Sequence, residues 1–375
     1  MIDFETFKRY DEIMPRVISL GTYTTLDYEA AQKTIGAIFD QWERGGCTAI
    51  ATQLDNGHTA VGRNMDLYIS DRPAFVHKTK IEGKYETLGL TYTFGRLGDV
   101  SNIQKNGMPD EQLQLMPFIA TDIMNSQGLY VETNMRSGQS TDDGQSLFGY
   151  ASTNPSSDKR VCVATLPLLI GQHCASIDEA LQYVKTLDIY SLSGNVDWNL
   201  CFLMAESTGR YGLLEIAQGE LSWLEGQRAQ ANFYVTRKWR EVEWSLTGIG
   251  RYEYVIDQIG DVRTDQQLFD LMAGMGYSQT FLVSSSPYDV RSEYIGDPVG
   301  PFEHISYEQL IDPANEKIVN DYLDHVAKNY LSKSRQEKIE EKYWESIFTL
   351  VADCNDRTLK VRFFEDPDKV ATFQV

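Results

Sequence analysis

Cys47 sits in the run Gly45-Gly46-Cys47-Thr48-Ala49-Ile50, and this setting is where the chain's chemistry is most legible. A cut at the Gly46–Cys47 bond gives one residue both a thiol and an α-amine, which together make a nucleophile and its own general base. The ordinary pKa of an α-amine, about 7.7 to 8.0, suits it to take the thiol proton near neutrality, so no histidine is required. Gly46 hinders attack on its carbonyl little and tolerates the strained backbone such a step needs. Gly62-Arg63-Asn64-Met65-Asp66 follows one predicted turn later. Its guanidinium would favour thiolate at a nearby sulfur, and its carboxylate would hold or orient an amine.

These groups must be brought together by a hairpin. Period-two patterning marks strands at 47–54 and 58–68 around Asp55-Asn56-Gly57, a strong hairpin signal. An even-numbered loop centred on Asn56-Gly57 pairs Cys47 with Asp66, with Cβ atoms about 5 Å apart. Arg63 then leaves the opposite face, and a bulge near Gly62 or Asn64 is needed to bring it to the sulfur. Upstream, residues 27–46 read as an amphipathic helix. Asp27 is its N-cap, Tyr28, Ala31, Ile35, Ile38, Phe39 and Trp42 form its apolar stripe, and Gly45-Gly46 stops it.

Further strands are expected at 85–94, 128–135, 198–205, 211–217 and 219–224, with a last hairpin at 345–353 and 358–364. Helices are expected at 163–172, 177–187, 251–259, 265–274 and 315–331. The strands come as hairpins and do not alternate with helices, which predicts antiparallel sheets covered by helices, an α+β fold. Residues 137–158, rich in Ser, Asp, Gly and Asn, read as a long surface loop. Only Cys47 suggests a boundary, dividing a leader, 1–46, from a domain, 47–375.

The 375 residues are 42% apolar and 11% aromatic, enough to bury a large core. A formal net charge of −20 disfavours nucleic acid and anionic membrane surfaces as partners. The start of the chain reads as no signal peptide, and a cytoplasmic location is expected. Five cysteines without Cys-x-x-Cys spacing argue against a disulfide framework or structural zinc. The five scattered histidines show no metal-ligand spacing, so neither metal nor cofactor is expected.

Sixteen residues after Cys47 comes Arg63 and nineteen after it comes Asp66. With the Cys-Thr-Ala-Ile start, this spacing resembles the cysteine N-terminal nucleophile (Ntn) hydrolases: choloylglycine hydrolases, penicillin V acylases, acid ceramidase and the isopenicillin N acyltransferases. The stretch from Met124 to Val131 is similar to the family's Met-Asn-Glu-Lys-Gly-Leu segment. The stretches from Ala231 to Thr236 and from Gly250 to Tyr254, and the closing hairpin, are similar to the acyltransferase branch. The resemblance implies a four-layer αββα sandwich of antiparallel sheets with a helical leader. It also implies a self-processing amidase that forms an acyl-thioester on Cys47 and acts on a small linear amide with an apolar acyl group. Asn232 is then an oxyanion donor, Asn134 the second, and Arg251 a brace for nucleophile or substrate. The 46 residues before Cys47 resemble the precursors of the ceramidase and acyltransferase branches. An acyltransferase of the same fold, an uncut non-catalytic binding protein, and a homo-oligomer all remain open.

Overall fold

Leu54 to His58 close the hairpin after Cys47 with an odd loop. The Leu54 N–H donates to the His58 carbonyl at 2.9 Å, and the Gly57 N–H donates to the Leu54 carbonyl at 2.9 Å. Gly57 takes the left-handed φ of +80° that this turn requires. The outcome is a three-residue turn with Asp55 and Asn56 at its centre, where the sequence predicts an even one. Register therefore shifts by one: Cys47 pairs with Met65, and Asp66 pairs with Gly46.

The computed structural model describes residues 8–9, 17–38, 46–68, 73–92, 110–135, 152–190, 200–240, 248–274, 312–317, 320–321, 334, 337, 344–363 and 368–375. Of the expected elements, most of the helix at 315–331 and most of the loop at 137–158 lie outside these residues. The strands, in chain order, begin with β1 (Lys8–Arg9), β2 (Val17–Tyr23), β3 (Gly46–Gln53), β4 (Thr59–Tyr68), β5 (Ala74–Thr79) and β6 (Thr87–Tyr92). Next come β7 (Asp122–Asn125), β8 (Leu129–Met135), β9 (Arg160–Cys162), β10 (Asp188–Tyr190), β11 (Leu200–Glu206) and β12 (Tyr211–Ala217). The last are β13 (Glu220–Glu225), β14 (Ala229–Gln230), β15 (Trp344–Asp353), β16 (Thr358–Phe363) and β17 (Ala371–Gln374).

One sheet has the order β1-β2-β5-β6-β7-β8-β11-β12-β13, and a second has the order β14-β3-β4-β15-β16-β17. Neighbours in both are antiparallel except β2 and β5, which run parallel; β9 and β10 form a separate parallel pair. Between the sheets lies a core drawn from both, including Val76, Leu90 and Leu203 from the first and Ala49, Val61 and Leu350 from the second. The helix Leu166–His173 packs on the far side of β6, β7 and β8, and Ile249–Gln258 and Asp265–Gly274 pack on the far side of β3, β4, β14 and β15. Each sheet thus buries both faces over its central strands, while the edge strands β13 and β17 stay partly exposed.

The segment before Cys47 is only partly helical. Tyr28–Ile38 is a helix, and Asp27 caps it by accepting from the Ala30 N–H at 2.9 Å; residues 39–45 lie outside those described. Val17–Tyr23, however, is a strand. Its Val17 enters the core between the sheets, while Ile18, Leu20 and Tyr23 join the core under the helices. The β-branched alternation of Val-Ile-Ser-Leu-Gly-Thr-Tyr is the signal for it. This segment is woven into the fold, so a cut at Gly46–Cys47 leaves it bound.

His77 on β5 is wholly buried beneath Gly89, where a Cβ would come within 2.1 Å of its ring. Its Nε2 lies 3.0 Å from Thr91 Oγ1, and its Nδ1 has no hydrogen-bond partner. Burial holds the imidazole down at about 3. The unfolded chain takes up this proton below about pH 6.5 and the folded one does not. Stability is therefore lost as pH falls from 6.5 towards 3, by about 2 kcal/mol at pH 5 from this group. Urea unfolding at pH 7.5 and pH 5 measures it, and His77→Gln is expected to lose less over the same interval.

Among the described residues no helix is long and apolar enough to cross a membrane.

Candidate active site

The shifted register sorts the hairpin's side chains by face. Cys47, Ala49, Arg63 and Met65 point between the sheets, so Arg63 reaches the sulfur without any bulge in β3 or β4. Gly62, Asn64 and Asp66 point to the helices. There Asn64 donates to the Met272 carbonyl at 2.7 Å, and Gly62 leaves room for Leu268 and Met272. Asp66 is thus on the opposite side of the sheet from the sulfur.

Cys47 Sγ lies 3.7 Å from Arg63 Nη2 and 3.6 Å from Met65 Sδ. The thiol is 4% exposed. Burial pushes it up to about 12, against the pull of the Arg63 guanidinium and with a further push from Asp66 and Glu132. The Cys47 thiol is therefore held protonated at neutral pH.

The Cys47 backbone is satisfied by side chains because its ladder partner stops short. β14 pairs with β3 only at Ala229–Ile50 and Gln230–Ala49. Beyond that, the Cys47 N–H donates to Asn232 Oδ1 at 2.9 Å, and its carbonyl accepts from Arg251 Nη1 at 3.0 Å. Arg251 also reaches Thr48 Oγ1 at 2.7 Å, Asp66 Oδ2 at 3.0 Å and, through Nη2, Asn232 Oδ1 at 2.8 Å. Ser346 Oγ closes the group by donating to Asp66 Oδ1 at 2.6 Å, next to a register shift in β15. Gly248 starts the helix that carries Arg251 with φ +83°, and a Cβ there would meet Arg251 Nη2 at 2.6 Å.

The facing sheet has a matching open edge. β7 begins at Asp122, paired with Glu132, and just ahead of it the Thr121 carbonyl accepts from the Thr133 N–H at 2.8 Å. The carbonyls of Thr133 and Met135 accept from Arg63 Nη2 at 2.9 Å and Asn232 Nδ2 at 2.6 Å. Arg63 and Asn232 thereby tie the two sheets together beside Cys47. Arg63 Nη1 donates to Asp122 Oδ2 at 2.5 Å, and Arg63 Nε forms an ion pair with Glu132 Oε2 at 3.1 Å without an aligned N–H. Gln230 Nε2 in turn donates to Glu132 Oε1, and Cys201 Sγ lies 2.8 Å from Gln230 Oε1.

Of the expected residues, Cys47, Arg63, Asn232 and Arg251 come together directly, and Asp66 joins them through Arg251. Asn134 is buried on β8, and among the described residues its amide O and N have no hydrogen-bond partner. Sequence reasoning missed Asp122, Glu132, Tyr130, Gln230 and Met65. The only prior sign was that two carboxylates fall in otherwise apolar strand sequence.

His58 Nδ1, Asp353 and Asp356 place ligand atoms within 4.8 Å of one another, a grouping the sequence spacing did not suggest. His58 Nδ1 is spent on Asp353 Oδ2 at 2.9 Å, and Asp353 Oδ1 accepts from the Asn355 and Asp356 N–H groups. The cluster fastens two turns at the far end of the β3–β4 hairpin from Cys47.

Among solved structures, the chain is similar to two variants of conjugated bile acid hydrolase from Clostridium perfringens. Each is 13% identical, the match covers 88% of this chain and 92% of theirs, and the TM-scores are 0.47 and 0.46. It is also similar to penicillin V acylase from Agrobacterium tumefaciens, at 12% identity over 88% of this chain and 86% of that one, with a TM-score of 0.41. No family model matches the sequence, and a search of curated proteins gives no match.

Proposed function

We propose that the chain is a self-processing cysteine amidase of the Ntn type, in which Cys47 supplies both nucleophile and base. One observation carries this reading: the sulfur of Cys47 faces a buried guanidinium while its own nitrogen and carbonyl are held by Asn232 and Arg251. A structural cysteine in a strand needs no guanidinium at its sulfur, and its backbone groups are ordinarily met by a ladder and not by an Asn and an Arg side chain.

The thiol attacks the Gly46 carbonyl carbon, the bond to the Cys47 nitrogen breaks, and the nitrogen takes the thiol proton. Water then hydrolyses the thioester, leaving a Gly46 carboxylate and a free Cys47 amine and thiol. In turnover, the amine accepts the thiol proton and the sulfur attacks a linear amide with an apolar acyl group. The leaving amine takes the proton away, and water releases the acid from the acyl-thioester. The donors we assign to the tetrahedral oxyanion are the second N–H of Asn232 Nδ2, whose first is spent on the Met135 carbonyl, and the buried amide of Asn134. The order of helices and sheets is read here as the αββα layering of that fold, with residues 1–46 retained as a leader.

A second reading, an uncut and non-catalytic binding protein, draws on the protonated state of the buried thiol in the intact chain. An acyltransferase would share the same acylation step.

Intact mass of the purified protein separates the readings. The wild type is expected as two co-purifying fragments, 1–46 and 47–375, and Cys47→Ala as a single full-length chain. A wild-type chain that stays intact on prolonged incubation and hydrolyses no N-acyl amine defeats the enzyme reading.

A further inference from the structure

Asp122 touches neither the sulfur nor the nitrogen of Cys47, yet every contact it makes bears on the group that does. It is wholly buried on β7, across the interface from β4. Its Oδ2 accepts from Arg63 Nη1 at 2.5 Å and from Thr121 Oγ1 at 2.7 Å, and its Oδ1 accepts from the Tyr130 hydroxyl at 2.6 Å. Tyr130 from β8 and Thr121 from the bend ahead of β7 fix this carboxylate, and through it one nitrogen of the Arg63 guanidinium.

A guanidinium is a rigid planar fork, so fixing one N–H on each of two nitrogens fixes the direction of the N–H groups that remain. Asp122 holds Nη1, while the Thr133 carbonyl takes one N–H of Nη2 at 2.9 Å. The other N–H of Nη2 is left facing a pair of sulfurs, Cys47 Sγ at 3.7 Å and Met65 Sδ at 3.9 Å. Glu132 lies on the Nε side at 3.1 Å and competes for the same cation. Without the charge of Asp122, the fork turns towards Glu132 and away from the sulfur.

We propose that Asp122, locked by Tyr130 and Thr121, is a positioning residue that aims Arg63 at the Cys47 sulfur. The proposal rests on Cys47 as the nucleophile, and it assigns to the facing sheet a part in preparing a thiol that belongs to the other sheet. A positioning residue acts through another group, so its effect vanishes when that group is already altered.

The test is the rate at which iodoacetamide labels Cys47 in the folded protein at pH 8, followed by peptide mass spectrometry, each variant being compared with wild type in the same state of cleavage at Gly46–Cys47 as read by intact mass. Alkylation needs neither self-cleavage nor turnover. Arg63→Lys and Asp122→Asn are each expected to slow labelling about ten-fold, the equivalent of one pK unit in thiolate fraction. The double variant is expected to label no more slowly than Arg63→Lys alone. Tyr130→Phe, which strips one donor from Asp122 and keeps the buried charges, is expected to slow labelling less and to have no effect in the Arg63→Lys background; it carries the test if Asp122→Asn does not fold. A purely structural Asp122 would loosen the site and speed labelling. Faster labelling, unchanged labelling, or losses that add in the double variant overturn the proposal. The expected coupling in a chain that cleaves no amide defeats the proposed function and leaves this inference standing.

Discussion

Arg251→Met is expected to destabilise the protein by about 3 to 5 kcal/mol, the usual cost of removing one partner from a buried ion pair. Arg251 is 1% exposed, and one guanidinium serves the Cys47 carbonyl, Thr48 Oγ1, Asp66 Oδ2 and Asn232 Oδ1. Methionine fills much of the volume and supplies no donor, so the Asp66 carboxylate loses its guanidinium beneath the helices and keeps, among the described residues, the Ser346 hydroxyl on its other oxygen. Against a whole-protein stability of about 5 to 15 kcal/mol, that is a large fraction. Most of the cost arises from the stranded carboxylate, so adding Asp66→Asn should recover part of it. Urea unfolding of the single and double variants reads the coupling directly. A loss under about 1 kcal/mol for Arg251→Met would show that Asp66 does not depend on it.

What the sequence made legible here was local, and what it hid was the pairing between distant strands. The strand that runs on from Cys47, the closing hairpin at Asp353–Thr358 and the cap at Asp27 follow from neighbours in the chain, and all are found. One residue more in the turn than the sequence suggested moved Asp66 to the other face and brought Arg63 to the sulfur. Parity decides sidedness in a strand, and no amount of local pattern recovers it once the loop is miscounted. Asp122, Glu132 and Gln230 were invisible for a different reason. Asp122 meets Arg63 across 59 positions and Gln230 meets Glu132 across 98, and each looks alone like an ordinary polar interruption of a strand. The strand Val17–Tyr23 was concealed by its place in a presumed leader, although its own residues favour extended backbone.

Asn232→Leu is expected to lower turnover by about 10²- to 10³-fold, or 2.7 to 4 kcal/mol of barrier, which is what loss of a single oxyanion donor typically costs. Two roles have to be separated to read that number. Oδ1 accepts from the Cys47 N–H and from Arg251, while Nδ2 donates to the Met135 carbonyl. Leucine removes both functions and leaves a buried N–H without its acceptor, which itself costs about 1 to 3 kcal/mol of stability. Asn232→Asp keeps the acceptor for Cys47 and Arg251 and removes the amide donor, so its fold should be held better than that of the leucine variant. If donation to the oxyanion is what the residue contributes to turnover, the aspartate variant loses kcat as severely as leucine while unfolding at higher urea. If clamping the Cys47 nitrogen is the whole of its contribution, the aspartate variant retains most of the activity. Single-turnover acylation of the processed protein, set beside the urea midpoints, tells the two apart, and near-wild-type acylation by the aspartate variant would remove Asn232 from the oxyanion site.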